Sequence, residues 1–273
     1  MKQLRPLFAM VLLPLVCLLG GCSGPPDAGV LLREAKSEAE GMKSCSADLT
    51  QTLVYTADGV RHARSSSDRV LYHAQPFALR DAQTVQNDGG SAESETYTVA
   101  EDGGLRFYGR TDGVWRKTDA GGLDTAPGAQ VDVLRLLDGV QGQTYVRETV
   151  LDSRRVHKLE LKLSRETLRS PVEAVASATG MTGGSRTVVQ TLLESAPDLY
   201  GYCYIDAETG RVVRVEADLT EAADRIFQTI DGGGVSVRVS KCEISGTIAK
   251  IDAAEAVVLP KEAKNAPSVQ AYG

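Results

Sequence analysis

Aromatic residues, histidine and positive charge are all scarce in this chain. Its 273 residues include one Trp, nine Tyr, four Phe and three His, and 36 Asp and Glu outnumber 30 Lys and Arg to give a net charge of −6. A nucleic-acid partner requires a basic surface, and the longest basic clusters here are pairs such as Arg154-Arg155, so the charge argues against such a partner. With 42% apolar and 24% charged residues, the composition is globular and excludes a disordered or multi-span membrane chain.

Motifs that carry catalysis or metal binding are also absent from the sequence. It contains no G-x-S-x-G, P-loop, H-E-x-x-H or G-x-G-x-x-G pattern. No C-x-x-C pair is present, and His62, His73 and His157 share no metal-binding spacing with one another or with the cysteines. We therefore predict a protein that is not an enzyme, with no catalytic residues, no cofactor and no metal site.

The N-terminal segment carries the strongest functional signal. In MKQLRPLFAMVLLPLVCLLGGC a cationic start at Lys2 and Arg5 precedes the apolar run Leu7 to Leu19. This run is shorter than the roughly 20 residues of a membrane-spanning helix and is interrupted by a proline, so it indicates a secretory signal peptide. Leu19-Gly20-Gly21-Cys22 resembles the bacterial lipobox, in which the peptide is cut before the cysteine and the thiol is lipidated.

The lipobox predicts where the protein resides. Residues 1–21 form the predicted signal peptide, Cys22 is the predicted lipid attachment site, and residues 22–28 form a lipidated tether. Several acyl chains hold a protein stably on a bilayer, whereas one chain holds it only marginally. We therefore expect an extracytoplasmic protein that is anchored to the bacterial cell membrane through Cys22. The alternative is an ordinary signal peptide with an incidental cysteine, and the sequence leaves the choice of inner or outer membrane open.

Three cysteines remain after Cys22, in a compartment where disulfides persist. They are Cys45, Cys203 and Cys242, so at most one bridge forms within the chain. The turn at 206–210 is expected to leave Cys203 and Cys242 two strand spacings apart, each of about 4.8 Å, which exceeds the Cα limit of about 7 Å for a disulfide. A bridge between Cys45 and Cys242 is then the less strained pairing, provided that the first and last strands are neighbours.

Apolar periodicities predict an α+β fold. Residues 28–43 have the pattern of an amphipathic helix. After this helix, alternating apolar and polar residues between Asp-Gly and Gly-Gly turns predict about eleven antiparallel strands, with helical insertions at 129–138 and within 164–195. We therefore expect a curved antiparallel sheet, a half-barrel, whose concave face is covered by the N-terminal helix and the inserted helices. This single domain spans residues 29–262 in our prediction, and a flexible C-terminal tail follows at 263–273.

The last strand requires an irregularity. Val235, Val237 and Val239 share one face of the run from Val235 to Ile248. Ile244 falls on the other face unless a bulge sits near Ser240-Lys241.

The order of these segments resembles a known group of proteins. A lipobox, a short tether and a helix are followed by a strand beginning MKSCSADLTQTL, the segment YTVAEDGGLRFYGRTDGVWRKTD and the hairpin LYGYCYIDAETGRVVRVEADLT. This arrangement is similar to a family of uncharacterised bacterial lipoproteins and, more widely, to the LolA-like and LppX/LprG-like half-barrel proteins. The resemblance implies an apolar groove that carries lipids or lipoproteins.

Two functions are therefore expected to compete. The first is a non-catalytic binder or carrier of an apolar, lipid-like ligand in a groove between sheet and helices. The second is a structural or protein-interaction module of the cell envelope, with a protein partner and a fully packed interior. The apolar positions of the first helix and of the strand Val156–Leu163 give the candidate groove-lining residues, which are Leu31, Leu32, Met42, Leu159, Leu161 and Leu163.

Overall fold

The computed structural model describes residues 24–111, 113–180, 186–228 and 236–268. The predicted signal peptide and the predicted lipid site at Cys22 lie outside these residues. Within them, eleven strands form one open, curved, antiparallel sheet, which confirms the predicted half-barrel. The strands are β1 (Ser44–Ala57), β2 (Val60–Ala74), β3 (Phe77–Asn87), β4 (Gly90–Glu101), β5 (Gly104–Thr111), β6 (Val114–Asp119), β7 (Gly142–Leu151), β8 (Arg154–Leu163), β9 (Leu199–Asp206), β10 (Val212–Asp218) and β11 (Val237–Ala249).

Two hairpin meanders meet at the centre of the sheet. The strand order is β6-β5-β4-β3-β2-β1-β11-β10-β9-β8-β7, so the first and last strands are neighbours, which is the condition on which the predicted disulfide depended. The two edges, β6 and β7, are consecutive in the chain. The chain must therefore cross the whole width of the sheet between Asp119 and Gly142, and this crossing places helices over the concave face.

The helices lie in several separate insertions, and all but the last of them cover the concave face. They are α1 (Ala28–Glu40), α2 (Pro127–Gln130), α3 (Asp132–Asp138), α4 (Arg169–Ala178), which follows a 3-10 turn at Arg165–Leu168, α5 (Arg186–Glu194), α6 (Thr220–Gln228) and α7 (Lys261–Lys264). Helix α1 begins one residue earlier than the predicted domain, because the Asp27 carboxylate caps it by accepting a hydrogen bond from the Val30 amide at 2.9 Å. The predicted tether is thus shortened to end at Asp27.

Helix α3 makes the tightest contact with the sheet. Gly246 lies in β11 opposite Leu49 of β1. A Cβ atom at Gly246 would be 2.6 Å from Cγ2 of Val133, so the helix approaches the strand more closely than any side chain would allow. Val133 and Leu137 of this helix are both buried.

The predicted bulge is present in β11. Val54 pairs with Lys241 and Tyr55 pairs with Val239, so Ser240 is the extra residue. This insertion reverses the alternation, and Val239, Cys242 and Ile244 are all buried in the same core. The prediction of a bulge near Ser240-Lys241 is confirmed.

A second, smaller core lies on the opposite face of the β4–β6 end of the sheet. Tyr97 and Tyr108 are buried there against Ala263 of α7. The chain then runs beside β6, where the Lys117 amide donates to the Pro267 carbonyl at 3.1 Å. The prediction of a flexible tail from residue 263 is therefore wrong as far as Ser268, because residues 263–268 cover apolar surface and pair with an edge strand.

Candidate functional site

The concave face carries a continuous apolar surface. Along β8, Leu159, Leu161 and Leu163 all point to this face and are at most 3% exposed. Leu32 of α1 and Met42 just after it are buried in the same core, and Leu31 is half-buried against it. The structure thus brings together all six predicted groove-lining residues.

The space between these side chains is filled by protein. One enclosed cavity of about 30 Å³ lies between α4 and the central strands, bordered by Leu53, Pro171 and Ile244. A second cavity, of about 10 Å³, lies beside Met42 and Leu134. Ligand pockets are usually about 300 to 1,000 Å³, so neither cavity holds an acyl chain. The predicted groove lining is therefore packed core in this conformation.

An open groove reaches this core at one side of the sheet. It has a volume of about 430 Å³ and runs between α1 and the beginning of β7, where it is bordered by Gly29, Val140 and Gln143. Leu32 contributes to the groove and also belongs to the core. Arg33, Lys36 and Glu40 lie along the same groove, so a border of mixed charge adjoins the apolar side chain of Leu32.

Two aspartates lie on the concave face near α3, one of them (Asp68) buried and the other (Asp81) half-buried. Asp68 of β2 is 6% exposed and lies opposite Leu49 of β1. Asp81 of β3 lies opposite the buried Val70 of β2, so the two carboxyl groups occupy diagonal positions on one face. One oxygen of each, Oδ1, is shielded from solvent and has no hydrogen-bond partner. Burial, and to a lesser extent the nearby Asp68 and Asp132 carboxylates, raises the pKa of Asp81 to about 6.

Sequence reasoning missed this pair, although a local signal was present. Asp68 alternates with Val70 and Tyr72, whose side chains are buried, and Asp81 alternates with the partly buried Leu79. A carboxylate in phase with apolar residues on a strand is the pattern that identifies a buried charge.

The predicted disulfide between Cys45 and Cys242 is not formed. Cys45, Cys203 and Cys242 are all free and buried. Ser46, next to Cys45, pairs with Ala249, which lies seven residues beyond Cys242 along β11. At about 3.4 Å per residue this separation far exceeds the roughly 7 Å that a disulfide spans. Cys203 is also out of reach of Cys242, because it pairs with Val215, which in turn pairs with Gly246, so two strand spacings and four residues separate the two cysteines.

The remaining side chains give no metal or membrane-spanning feature in the described part of the chain. Among residues 24–111, 113–180, 186–228 and 236–268, no cluster of three His, Cys, Asp or Glu side chains is suited to hold a metal ion. None of the helices in these ranges combines the length and apolar character that crossing a bilayer requires.

Comparison with known proteins returns matches only among solved structures, because no family model and no curated protein matches this chain. LppX, a lipoprotein of Mycobacterium tuberculosis, is 14% identical over 85% of this chain and 100% of its own, with a TM-score of 0.44. LprF of Mycobacterium bovis is 13% identical over 88% of this chain and 99% of its own, also with a TM-score of 0.44. A LolA-superfamily protein of Nitrosomonas europaea is 10% identical over 85% of this chain and 96% of its own, with a TM-score of 0.25. LppX and the LolA-superfamily protein belong to the groups that the sequence was predicted to resemble, and a likeness of fold does not fix function.

Proposed function

We propose that this protein is an extracytoplasmic lipoprotein, anchored to the cell membrane through lipid on Cys22, that binds and carries an apolar, lipid-like ligand between its sheet and its helices. The observation that carries the proposal is the groove of about 430 Å³ between α1 and β7, whose floor includes Leu32 of the apolar core. Its size is within the range of small-molecule sites.

The apolar packing of the core supports entry of such a ligand. Helix α4 contacts the interior through Val172 and Val175, both fully buried, and Leu168 precedes them. Contacts between apolar side chains have no fixed direction, so an acyl chain replaces them with little loss of free energy. A ligand would thus enter by displacing helices rather than by filling a preformed cavity.

The position of the groove relative to the tether also supports a carrier. Residues 23–27 separate Cys22 from the start of α1, and five extended residues span at most about 18 Å. Gly29, at the start of this helix, borders the groove. A lipid on Cys22 would therefore hold the groove close to the membrane from which a ligand is taken or to which it is delivered.

The packed interior favours a second candidate function. The enclosed cavities of about 30 and 10 Å³ are those of an ordinary core. A module that acts only through its outer surface, by binding an envelope protein, needs a packed core and no ligand cavity.

Uptake of a fluorescent fatty acid by the chain from residue 23 onward separates the two functions. Gln143→Trp places a bulky ring in the groove, and Thr144→Trp is the matched control, because Thr144 pairs with Glu160 on the opposite face of β7. A carrier shows saturable uptake that Gln143→Trp reduces several-fold and Thr144→Trp does not, with melting temperatures unchanged in both. Absence of saturable uptake by the parent protein, and of any lipid in mass spectra of gently purified material, would favour the interaction module.

A further inference from the structure

We propose that Asp68 and Asp81 form a pH-sensitive latch beneath the α2–α3 cover, defined as residues 124–138, which stays closed while at least one of the two carboxyl groups is protonated and loosens when both ionise. The consequence for ligand entry rests on the function proposed above. The latch itself rests on the positions of the two side chains and of the cover.

The two carboxyl groups have few hydrogen-bond partners in their positions on the sheet. Asp68 pairs across the strands with Leu49 and Gln83, and Asp81 pairs with Val70 and Thr96. Gln83 forms a side-chain hydrogen bond with Asp68, whereas Oδ1 of Asp68 and Oδ1 of Asp81 are both shielded and without a partner. A buried ionised carboxylate that lacks a partner is strongly unfavourable, so protonation is the readiest way to stabilise this arrangement.

The cover is fixed to the same part of the sheet. The hydroxyl of Tyr72 on β2 donates to the Thr125 carbonyl at 2.9 Å. Val133 of α3 sits against Gly246, whose missing side chain makes room for it. A repulsion that develops under this cover therefore acts on a segment that is attached by this hydrogen bond and by buried apolar side chains such as Val133 and Leu137.

The charged groups around the pair reinforce the repulsion. Asp132, the first residue of α3, acts on both Asp68 and Asp81. Arg135 is on the same helix, but it pairs with Asp132 at 3.0 Å and both side chains are largely exposed. Arg116 lies on the same face of the sheet, three strands away from Asp81. No cation among the described residues therefore lies against the two buried carboxyl groups to replace the proton.

The direction of the pH effect follows from these surroundings. The pKa of Asp81 is raised from 3.8 to about 6 and that of Asp68 is also raised, in both cases chiefly by burial. Lifting the cover returns the carboxyl groups to water and to their ordinary pKa, so opening is coupled to proton release. The cover is most tightly closed in acid and loosens as the pH rises through about 6. Opening at neutral pH would uncover the apolar face near Leu49 and Val70.

Hydrogen exchange of the α2–α3 cover tests the latch without any ligand. After correction for the intrinsic pH dependence of exchange, amides of residues 133–138 should open about tenfold more readily at about pH 7.5 than at about pH 5. Asp81→Asn should abolish most of this difference, and Asp68→Asn should reduce it. Asp48→Asn is the matched control, since Asp48 lies on the other face of β1 and pairs with Arg69 at 2.9 Å.

Two outcomes overturn the latch. One is exchange of the cover that does not change with pH in the parent protein, and the other is a pH dependence that survives in both Asp81→Asn and Asp68→Asn.

Fatty-acid uptake measured at the same two pH values distinguishes failure of the latch from failure of the proposed carrier function. Loss of uptake at both values, with pH-dependent exchange intact, refutes the carrier and leaves the latch, whereas uptake with pH-independent exchange refutes the latch alone.

Discussion

The contact between Val133 and Gly246 gives a quantitative test of how the cover is seated. In Gly246→Ala the new Cβ would be 2.6 Å and 3.0 Å from the two methyl carbons of Val133 and 3.2 Å from Cδ1 of Leu49. The β11 backbone cannot yield, because it is paired with β1 on one side and β10 on the other. The strain must therefore move α3 away from the sheet.

The expected cost follows from this overpacking. Forcing an extra methyl group into a filled core costs about 1 to 3 kcal/mol of unfolding free energy. Val133→Ala alone removes two buried methyl groups, and at about 0.8 kcal/mol each plus a cavity it should cost about 2 kcal/mol. In the double variant the alanine methyl fills the space left by the valine. The stability lost by the double variant should therefore be smaller, by about 1 kcal/mol or more, than the sum of the losses of the two single variants.

Urea unfolding of the four proteins in this cycle measures the coupling. Gly104→Ala is the matched control, because a Cβ at that strand position meets nothing within 4 Å. The control should stay within about 0.5 kcal/mol of the parent protein. Additive losses in the double variant, or a Gly246→Ala protein as stable as the control, would refute the close seating of α3.

The remaining predictions concern pH, thiol reactivity and lipidation. The pKa of Asp81 in the folded protein, about 6, exceeds its ordinary value of 3.8, so the free energy of unfolding falls as the pH rises between these two values. Asp81→Asn should therefore stabilise the protein by about 1 to 3 kcal/mol at neutral pH and have little effect below pH 4. Urea unfolding across that pH range measures the difference. Burial raises the pKa of Cys45, Cys203 and Cys242 to about 12. A thiol reagent at about pH 8 should therefore label none of them in the native protein and all three in denaturant. Rapid labelling of the native protein would contradict the packing. Cys22→Ala should abolish cleavage before residue 22 and the attached lipid in a bacterial host, as seen by mass spectrometry; a variant that is cleaved there and still partitions into detergent would exclude Cys22 as the anchor.

Local patterns predicted the features that depend on neighbours in sequence. The alternation of Leu159, Leu161 and Leu163 with charged residues fixes which face of β8 is buried, and the structure agrees. The phase change between Val239 and Ile244 likewise located the bulge at Ser240. Both features follow from the two-residue period of a strand, which needs no knowledge of what the strand pairs with.

Features that depend on long-range register were not predictable in this way. The predicted disulfide required only that β1 and β11 be neighbours, but the offset between Cys45 and Cys242 depends on how the whole pair of strands is aligned. The close approach of α3 to Gly246 is set by the packing of side chains from several elements, which no local pattern records. The second core at Tyr97 and Tyr108 depends on the path of the C-terminal segment across the sheet.

The pairing of Lys117 with the segment at Pro267 has a consequence for self-association. An open sheet offers two edges on which further strands can be added, and repeated addition produces linear polymers. Here the C-terminal segment occupies part of the β6 edge, which leaves β7 as the more accessible one. Two copies that joined through β7 would each present a guarded edge to a third, so growth would stop at a pair. Proteolysis before α7 would remove the segment that covers the β6 edge. Both edges of the sheet could then pair with other copies, and linear polymers could grow.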